Sequence, residues 1–366
     1  MRNGNNFSRV RGGFTTFCGL LLVPAALAVL LAACSSQRIV PGSAEVILDG
    51  KYDIAFPYGG DRKALQSLLE SIRLLNSSVY YEMFTFPVED QIKKKDIRPE
   101  LFKGNRYPKS IYNDFAVGTA TIIYYKENRI AVLTCAHVVD FADTLFTYYE
   151  IGRTVDENVV ATVAIKKRQS NYVTDFPQGD QFEILALDRS LDIVVLGKKI
   201  FGEMDKTVRV FRYPLGRARE LDWGALVYVV GFPSGKKMIT SGIVSSPNRN
   251  QNHDFLLDAL FNRGFSGGIV LAIRDGLPNF ELVGMVNAVA ADSEIFLVPR
   301  DASDFSELNF NIPYTGDIYA RPRKKINYGI SYGISIESIE KFLKDNRDKF
   351  ESAGYQIEGF FRTATF

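Results

Sequence analysis

The chain has 366 residues, enough for one large domain or two ordinary ones, with 44 basic and 42 acidic residues and a formal charge of +2. Its first 34 residues hold Arg2, Arg9 and Arg11 and no acid, so the rest carries 41 bases against 42 acids, which argues against a general nucleic-acid binder. Apolar residues make up 46% and aromatics 13%, with three Cys and two His; this is a globular composition that excludes a disulfide scaffold and a Cys/His zinc cluster.

The three arginines precede an uncharged, apolar or small stretch from Thr15 to Ala33, the pattern of a secretory signal. It ends in Leu31-Ala32-Ala33-Cys34, which resembles the bacterial lipobox, whose Cys is diacylated and becomes the first residue after cleavage. Residues 1–33 are therefore expected to be a lipoprotein signal peptide and Cys34 a lipid attachment site that ties the chain to a membrane. Ser35, in place of Asp, implies outer-membrane delivery by enterobacterial-type sorting, and so a place in the cell envelope. No other long uncharged apolar run exists, so no second span is expected. With Cys18 removed and Cys34 acylated, Cys135 is left as the one free thiol.

Residues 34–110 read as a tether and N-terminal extension. Pro41, Pro57 and Gly59-Gly60 mark its start, and Asp61 to Leu75 shows helical apolar spacing. Residues 78–86 are aromatic and strand-like, and Lys93-Lys94-Lys95 reads as a solvated face. From Phe115 onward short β-rich runs alternate with turns, which predicts an all-β barrel or sandwich. Residues 291–327 are polar, with Pro299, Pro313 and Pro322, and read as a long insertion loop holding a basic exposed run at 321–325. A helix is predicted over Ser335 to Lys344.

Three segments carry chemistry. An apolar strand, 131–135, delivers His137 at its tip. Asp192 stands at the mouth of a fully apolar strand, where a carboxylate is costly without a partner. Ser266 lies between glycines in Asn262-Arg263-Gly264-Phe265-Ser266-Gly267-Gly268, a turn able to aim successive amides at one point, as an oxyanion hole requires.

In the order His137, Asp192, Ser266 the chain resembles the trypsin-like, chymotrypsin-fold serine peptidases, and within them the HtrA-type bacterial branch. The segments TCAHVV, LDIVVL and NRGFSGG look like that family's TAAH, DIAL-type and NxGNSGG segments. Residues 223–245 and 328–343 resemble its later strands and closing helix. The resemblance spans roughly 116–343 and implies two six-stranded antiparallel β-barrels, with a peptidase domain at 111–347 and a C-terminal tail at 348–366. It further implies His137 as general base, Asp192 as its orienting acid, Ser266 as nucleophile, and the Gly264 and Ser266 amides as the oxyanion hole. Leu260 looks like the floor of the specificity pocket and Asn287-Ala288-Val289 like its wall, which suits small or medium apolar side chains. The implied partner is a peptide or protein substrate; no cofactor and no metal is expected.

Rival chemistries fail on order. Gly264 to Gly268 also fits the GxSxG elbow of α/β-hydrolases, but no His follows Ser266. No Asp with a fitting context precedes His137 for subtilisin order, HExxH is absent, and His253 stands in a polar loop and is expected to be exposed. Phe265 departs from the family: trypsins carry there the acid that pairs with a new N-terminal ammonium, and HtrA-type enzymes usually carry Asn. Trypsin-style activation is thus not expected, and a collapsed oxyanion loop around Phe265 would instead make the fold an idle binding or sensing module. With 23 residues after Leu343, a PDZ domain is not expected.

Overall fold

The β-branched, apolar runs become strands because each buries one or both faces against a neighbour. The computed structural model describes residues 48–54, 62–151, 154–176, 181–201, 208–259, 262–299 and 318–361. The chain divides into two units, Met1–Glu45 and Val46–Phe366, and all of these residues lie in the second. The expected signal peptide, Cys34 and Leu260 fall outside the described residues.

The first sheet holds β1 (Ile72–Thr85), β2 (Lys109–Lys126), β3 (Arg129–Cys135), β4 (Thr144–Ile151), β5 (Thr154–Val173), β6 (Glu183–Asp188) and β7 (Ile193–Lys199). Its order is β4-β5-β1-β2-β3-β7-β6, every pair antiparallel. The second sheet holds β8 (Leu226–Gly231), β9 (Met238–Ser246), β10 (Phe255–Asp258), β11 (Ile269–Ile273), β12 (Phe280–Pro299) and β13 (Ile318–Ser335). It closes as a barrel in the order β10-β13-β12-β11-β8-β9. The architecture is therefore the expected all-β, chymotrypsin-like pair, with one difference: the first member is a curled, seven-stranded half-barrel rather than a closed six-stranded one.

Several sequence expectations change. The helix expected over 61–75 ends early: α1 spans Arg62–Leu69, and Ile72 and Leu75 are buried residues of β1. The Ser71 hydroxyl and amide both donate to the Leu68 carbonyl, closing the last turn. β1 lies between β5 and β2, so the first sheet begins at Ile72, ahead of the expected boundary at residue 111. The insertion loop expected at 291–327 is in large part a hairpin: 291–299 extends β12 and 318–327 extends β13, pairing from Ala291↔Ile326 to Pro299↔Ile318. Cross-strand pairing outweighs the polar composition there.

The closing helix α2 (Ile336–Asp345) forms as predicted, its first amides capped by Ser335, whose Oγ accepts from the Ser338 amide at 3.1 Å. The residues expected as a tail continue into α3 (Arg347–Ser352) and a 3₁₀ turn over Ile357–Phe361. They bury Phe350, Tyr355, Ile357 and Phe360 in the same core as both sheets. At the other end, Tyr52 is buried against the second barrel: its hydroxyl donates to Glu281 Oε2 at 2.8 Å, and Arg274 lies 4.0 Å over its ring.

Candidate active site

β3 ends at Cys135 and turns through a 3₁₀ turn, Ala136–Val138, which sets His137 on the surface between two buried neighbours. β7 pairs with β3 so that Ile193 faces Cys135. Asp192, one residue earlier, therefore falls beside His137. Its backbone takes φ 54°, the left-handed region that Asp tolerates better than most residues. The turn before it is tied by Asp188 Oδ1, which accepts from the Ser190 amide and hydroxyl at 2.8 and 2.6 Å and from the Leu191 amide at 3.0 Å.

Asp192 grips His137 twice. Its Oδ1 accepts from the His137 amide at 2.8 Å and its Oδ2 lies 2.7 Å from Nδ1. The Asp192 carbonyl also accepts from the Ala136 amide at 3.1 Å. The carboxylate side chain is 17% exposed and the imidazole 47%, so the acid sits behind a base that reaches solvent. A carboxylate on Nδ1 leaves Nε2 as the nitrogen free to accept a proton.

Ser266 belongs to the turn before β11. His137, Ser266, Gly264, Arg263, Phe115 and Val117 all line one cleft of about 530 Å³. No hydrogen bond joins the Ser266 hydroxyl to His137, a contact often loose without substrate.

The backbone around Ser266 is held from both sheets. The Arg263 carbonyl accepts from the Ser234 amide at 2.8 Å. The planar trans peptide then points the Gly264 N–H the opposite way. Among the described residues neither the Gly264 nor the Ser266 amide has a protein acceptor. Gly264 has φ +105°, and a Cβ there would overlap the Phe232 carbonyl oxygen. The Gly264 carbonyl faces inward, accepting from Thr119 Oγ1 at 2.7 Å.

Phe265 does not fill the oxyanion loop. Its ring is 2% exposed and belongs to the main core. Gly231 makes room for it: a Cβ there would lie 2.7 Å from Phe265 Cδ1.

Residues 118–285 match the trypsin-like peptidase domain. No curated protein matches the chain in sequence. The match to the trypsin-like peptidase domain supports hydrolysis of the serine-peptidase type on protein or peptide substrates. All three motif segments, with His137, Asp192 and Ser266, fall inside the matched range.

The remaining predicted site residues lie elsewhere or outside description. Asn287 lines a separate cavity of about 420 Å³ with Phe255, Tyr332 and Gly333. Ala288 and Val289 pair through β12 with Tyr332 and Ser331 of β13. His253 is half-buried rather than exposed, its Nδ1 2.9 Å from Asn248 Oδ1 within the turn between β9 and β10.

The structure brings to the site two residues that sequence reasoning did not place there. Thr119, fully buried in β2, donates its amide to the Ser266 carbonyl at 2.8 Å and its hydroxyl to Gly264, and accepts from the Phe232 amide at 2.9 Å. A small hydroxyl residue in an apolar strand was its one available signal. The other is Cys135. Cys135 Sγ, a His137 nitrogen and an Asp192 oxygen come within 4.8 Å of one another, a spacing a metal ion could use. The thiol instead points at the Val286 carbonyl, at 3.1 Å. Burial first, and the Asp192 charge second, push its pKa well up, so it offers no thiolate, and Nδ1 is committed to Asp192. The donor set suits a hydrogen-bonded base better than a metal.

Proposed function

We propose that the protein is a lipid-anchored serine endopeptidase of the cell envelope, of HtrA type, working through His137, Asp192 and Ser266. The observation that carries this reading is the double grip of Asp192 on His137, in the cleft that also presents Ser266. Ser266 Oγ attacks the peptide carbonyl while His137 Nε2 takes its proton. Asp192 holds the tautomer and stabilises the imidazolium. The Gly264 and Ser266 amides receive the oxyanion, which forms as the carbonyl becomes tetrahedral. His137 then gives the proton to the leaving amine. Water, deprotonated by His137, opens the acyl-enzyme and restores the serine.

Specificity in this proposal comes from Leu260, Ala288 and Val289, without Asn287, and favours small or medium apolar residues. The alternative reading, an idle fold collapsed around Phe265, lacks support: the ring is buried in the core and the Arg263 carbonyl is already bonded to Ser234. Hydrolysis of an unfolded protein substrate that disappears in Ser266→Ala supports the reading; equal hydrolysis by the variant contradicts it. Palmitate incorporation that is lost in Cys34→Ser tests the anchor separately.

A further inference from the structure

We propose that Arg263 is a specificity residue that selects substrates carrying Asp or Glu within the first three residues after the cleaved bond. The inference rests on the peptidase reading above and adds a substrate class to it.

The cleft that holds Ser266 and His137 is walled by Leu74 of β1, by Phe115 and Val117 of β2, and by the Ser234-Gly235 turn. The proposed pocket for the residue before the bond belongs to the second barrel, through β12. The wall built by β1 and β2 belongs to the first sheet. His137, which hands its proton to the leaving amine, comes from that sheet too. The residues after the bond therefore run along this wall. Arg263 meets them there. Its carbonyl is fixed on the Ser234 amide at 2.8 Å, and the next residue, Gly264, supplies the amide assigned to the oxyanion. Its side chain thus starts beside the reacting carbonyl, in the same cleft. An extended chain advances about 3.3 Å per residue, so the first three residues after the bond pass within reach of a guanidinium held at this point.

The charge of the cleft is one-sided. Among the described lining residues Arg263 is the one permanent charge, and no carboxylate lines the cleft. The acids beside it are committed: Asp192 Oδ2 lies 2.7 Å from His137 Nδ1, and Asp114 Oδ1 accepts from the Phe115 amide at 2.8 Å. Arg263 is exposed, and among the described residues no carboxylate comes within ion-pair distance of it. Lys236, exposed and next to Gly235 of the cleft, adds a second cation on the same rim. A guanidinium presents paired donors that match a carboxylate, which a substrate Asp or Glu supplies. A bound chain also displaces water from walls that include Leu74, Phe115 and Val117, and so strengthens the ion pair. The same field repels a Lys or Arg at these positions, so discrimination comes from both signs.

The test uses the full chain and an equimolar mixture of synthetic peptides that share Ala or Val before the bond and carry Gln, Glu or Lys at each of the three positions after it. Products are followed by mass spectrometry. Peptides in one mixture compete, so each rate ratio reports relative kcat/KM and cancels any change in overall activity. The parent is expected to cut its preferred Glu peptides about fivefold faster than their Gln counterparts, the upper end for a partly exposed ion pair, and the Lys peptides more slowly still. Arg263→Gln is expected to bring the Glu-to-Gln ratio close to one, and Arg263→Glu to favour Lys. The parent's ratio is expected to fall in about 0.5 M NaCl, as a screened pair requires. An equal Glu-to-Gln ratio in the parent and Arg263→Gln overturns the inference. Should the variants lose their thermal transition, the parent carries the test, and a Glu preference that salt leaves unchanged overturns it. Cleavage without any charge preference defeats this inference and leaves the peptidase reading standing, whereas a folded parent that cuts none of the peptides defeats both.

Discussion

Thr119 of the first sheet donates its hydroxyl to the carbonyl of Gly264 in the second barrel, at 2.7 Å. That bond, with the Thr119 amide on the Ser266 carbonyl at 2.8 Å, ties the two sheets together at the turn that bears the proposed nucleophile. Thr119→Val keeps the shape and removes the hydroxyl, leaving the buried Gly264 carbonyl and Phe232 amide unpaired. The expected cost is about 1–3 kcal/mol of stability, measured by denaturant titration, with Thr119→Ser close to the parent. Hydrolysis is expected to fall in Thr119→Val beyond what unfolding explains, because the Gly264 peptide loses its anchor.

Gly264 tests the loop from the other side. Its φ of +105° and the nearness of the Phe232 carbonyl leave no space for a side chain. Gly264→Ala is expected to move the Gly264 amide and lower kcat about a hundredfold or more, the scale of losing an oxyanion donor. Steady-state kinetics on a short peptide substrate checks this; a variant with parental kcat would place the oxyanion elsewhere.

Asp192→Asn removes the charge and retains the shape. Asn offers Nδ1 a donor as readily as an acceptor, so the wrong tautomer of His137 gains ground. The expected loss in kcat is about 10⁴-fold, by analogy with the same change in well-studied triads. A loss below tenfold would show that Asp192 does not govern the base.

The turn before Asp192 predicts an acid dependence. The Ser190 hydroxyl, helped by the Leu191 and Ser190 amides, holds the Asp188 carboxyl below its usual range. A depressed folded pKa adds stability that is complete above the unfolded value, about 4, and is lost as pH falls through the folded one. Asp188→Asn is therefore expected to be less stable than the parent at neutral pH, with the difference narrowing as the pH drops below about 4. Melting temperatures across this range check it; a constant difference would remove Asp188 from the turn's stability.

The sequence was legible where chemistry is local. His137, Asp192 and Ser266 each adjoin an apolar strand, and their chain order excluded the other hydrolase folds. What was not legible depends on pairing between distant segments. Nothing around Thr119 announces that it meets Gly264, 145 residues away. The ring of Phe265 is harmless to the loop only because Gly231 of β8 leaves it space. The polar composition of 291–327 suggested a loop, yet β12 and β13 satisfy each other's backbone groups through much of it. Helical spacing at Ile72 and Leu75 was genuine but belonged to a strand, which buries these two positions on its opposite faces.

The central claim is that Ser266 is activated by its place beside His137 and Asp192. Intact-mass measurement of the protein after treatment with a fluorophosphonate tests it most directly. The account predicts one adduct per chain, mapped to Ser266, absent in Ser266→Ala and strongly slowed in His137→Ala. A folded parent that takes up no adduct, or an adduct that persists in Ser266→Ala, would contradict it.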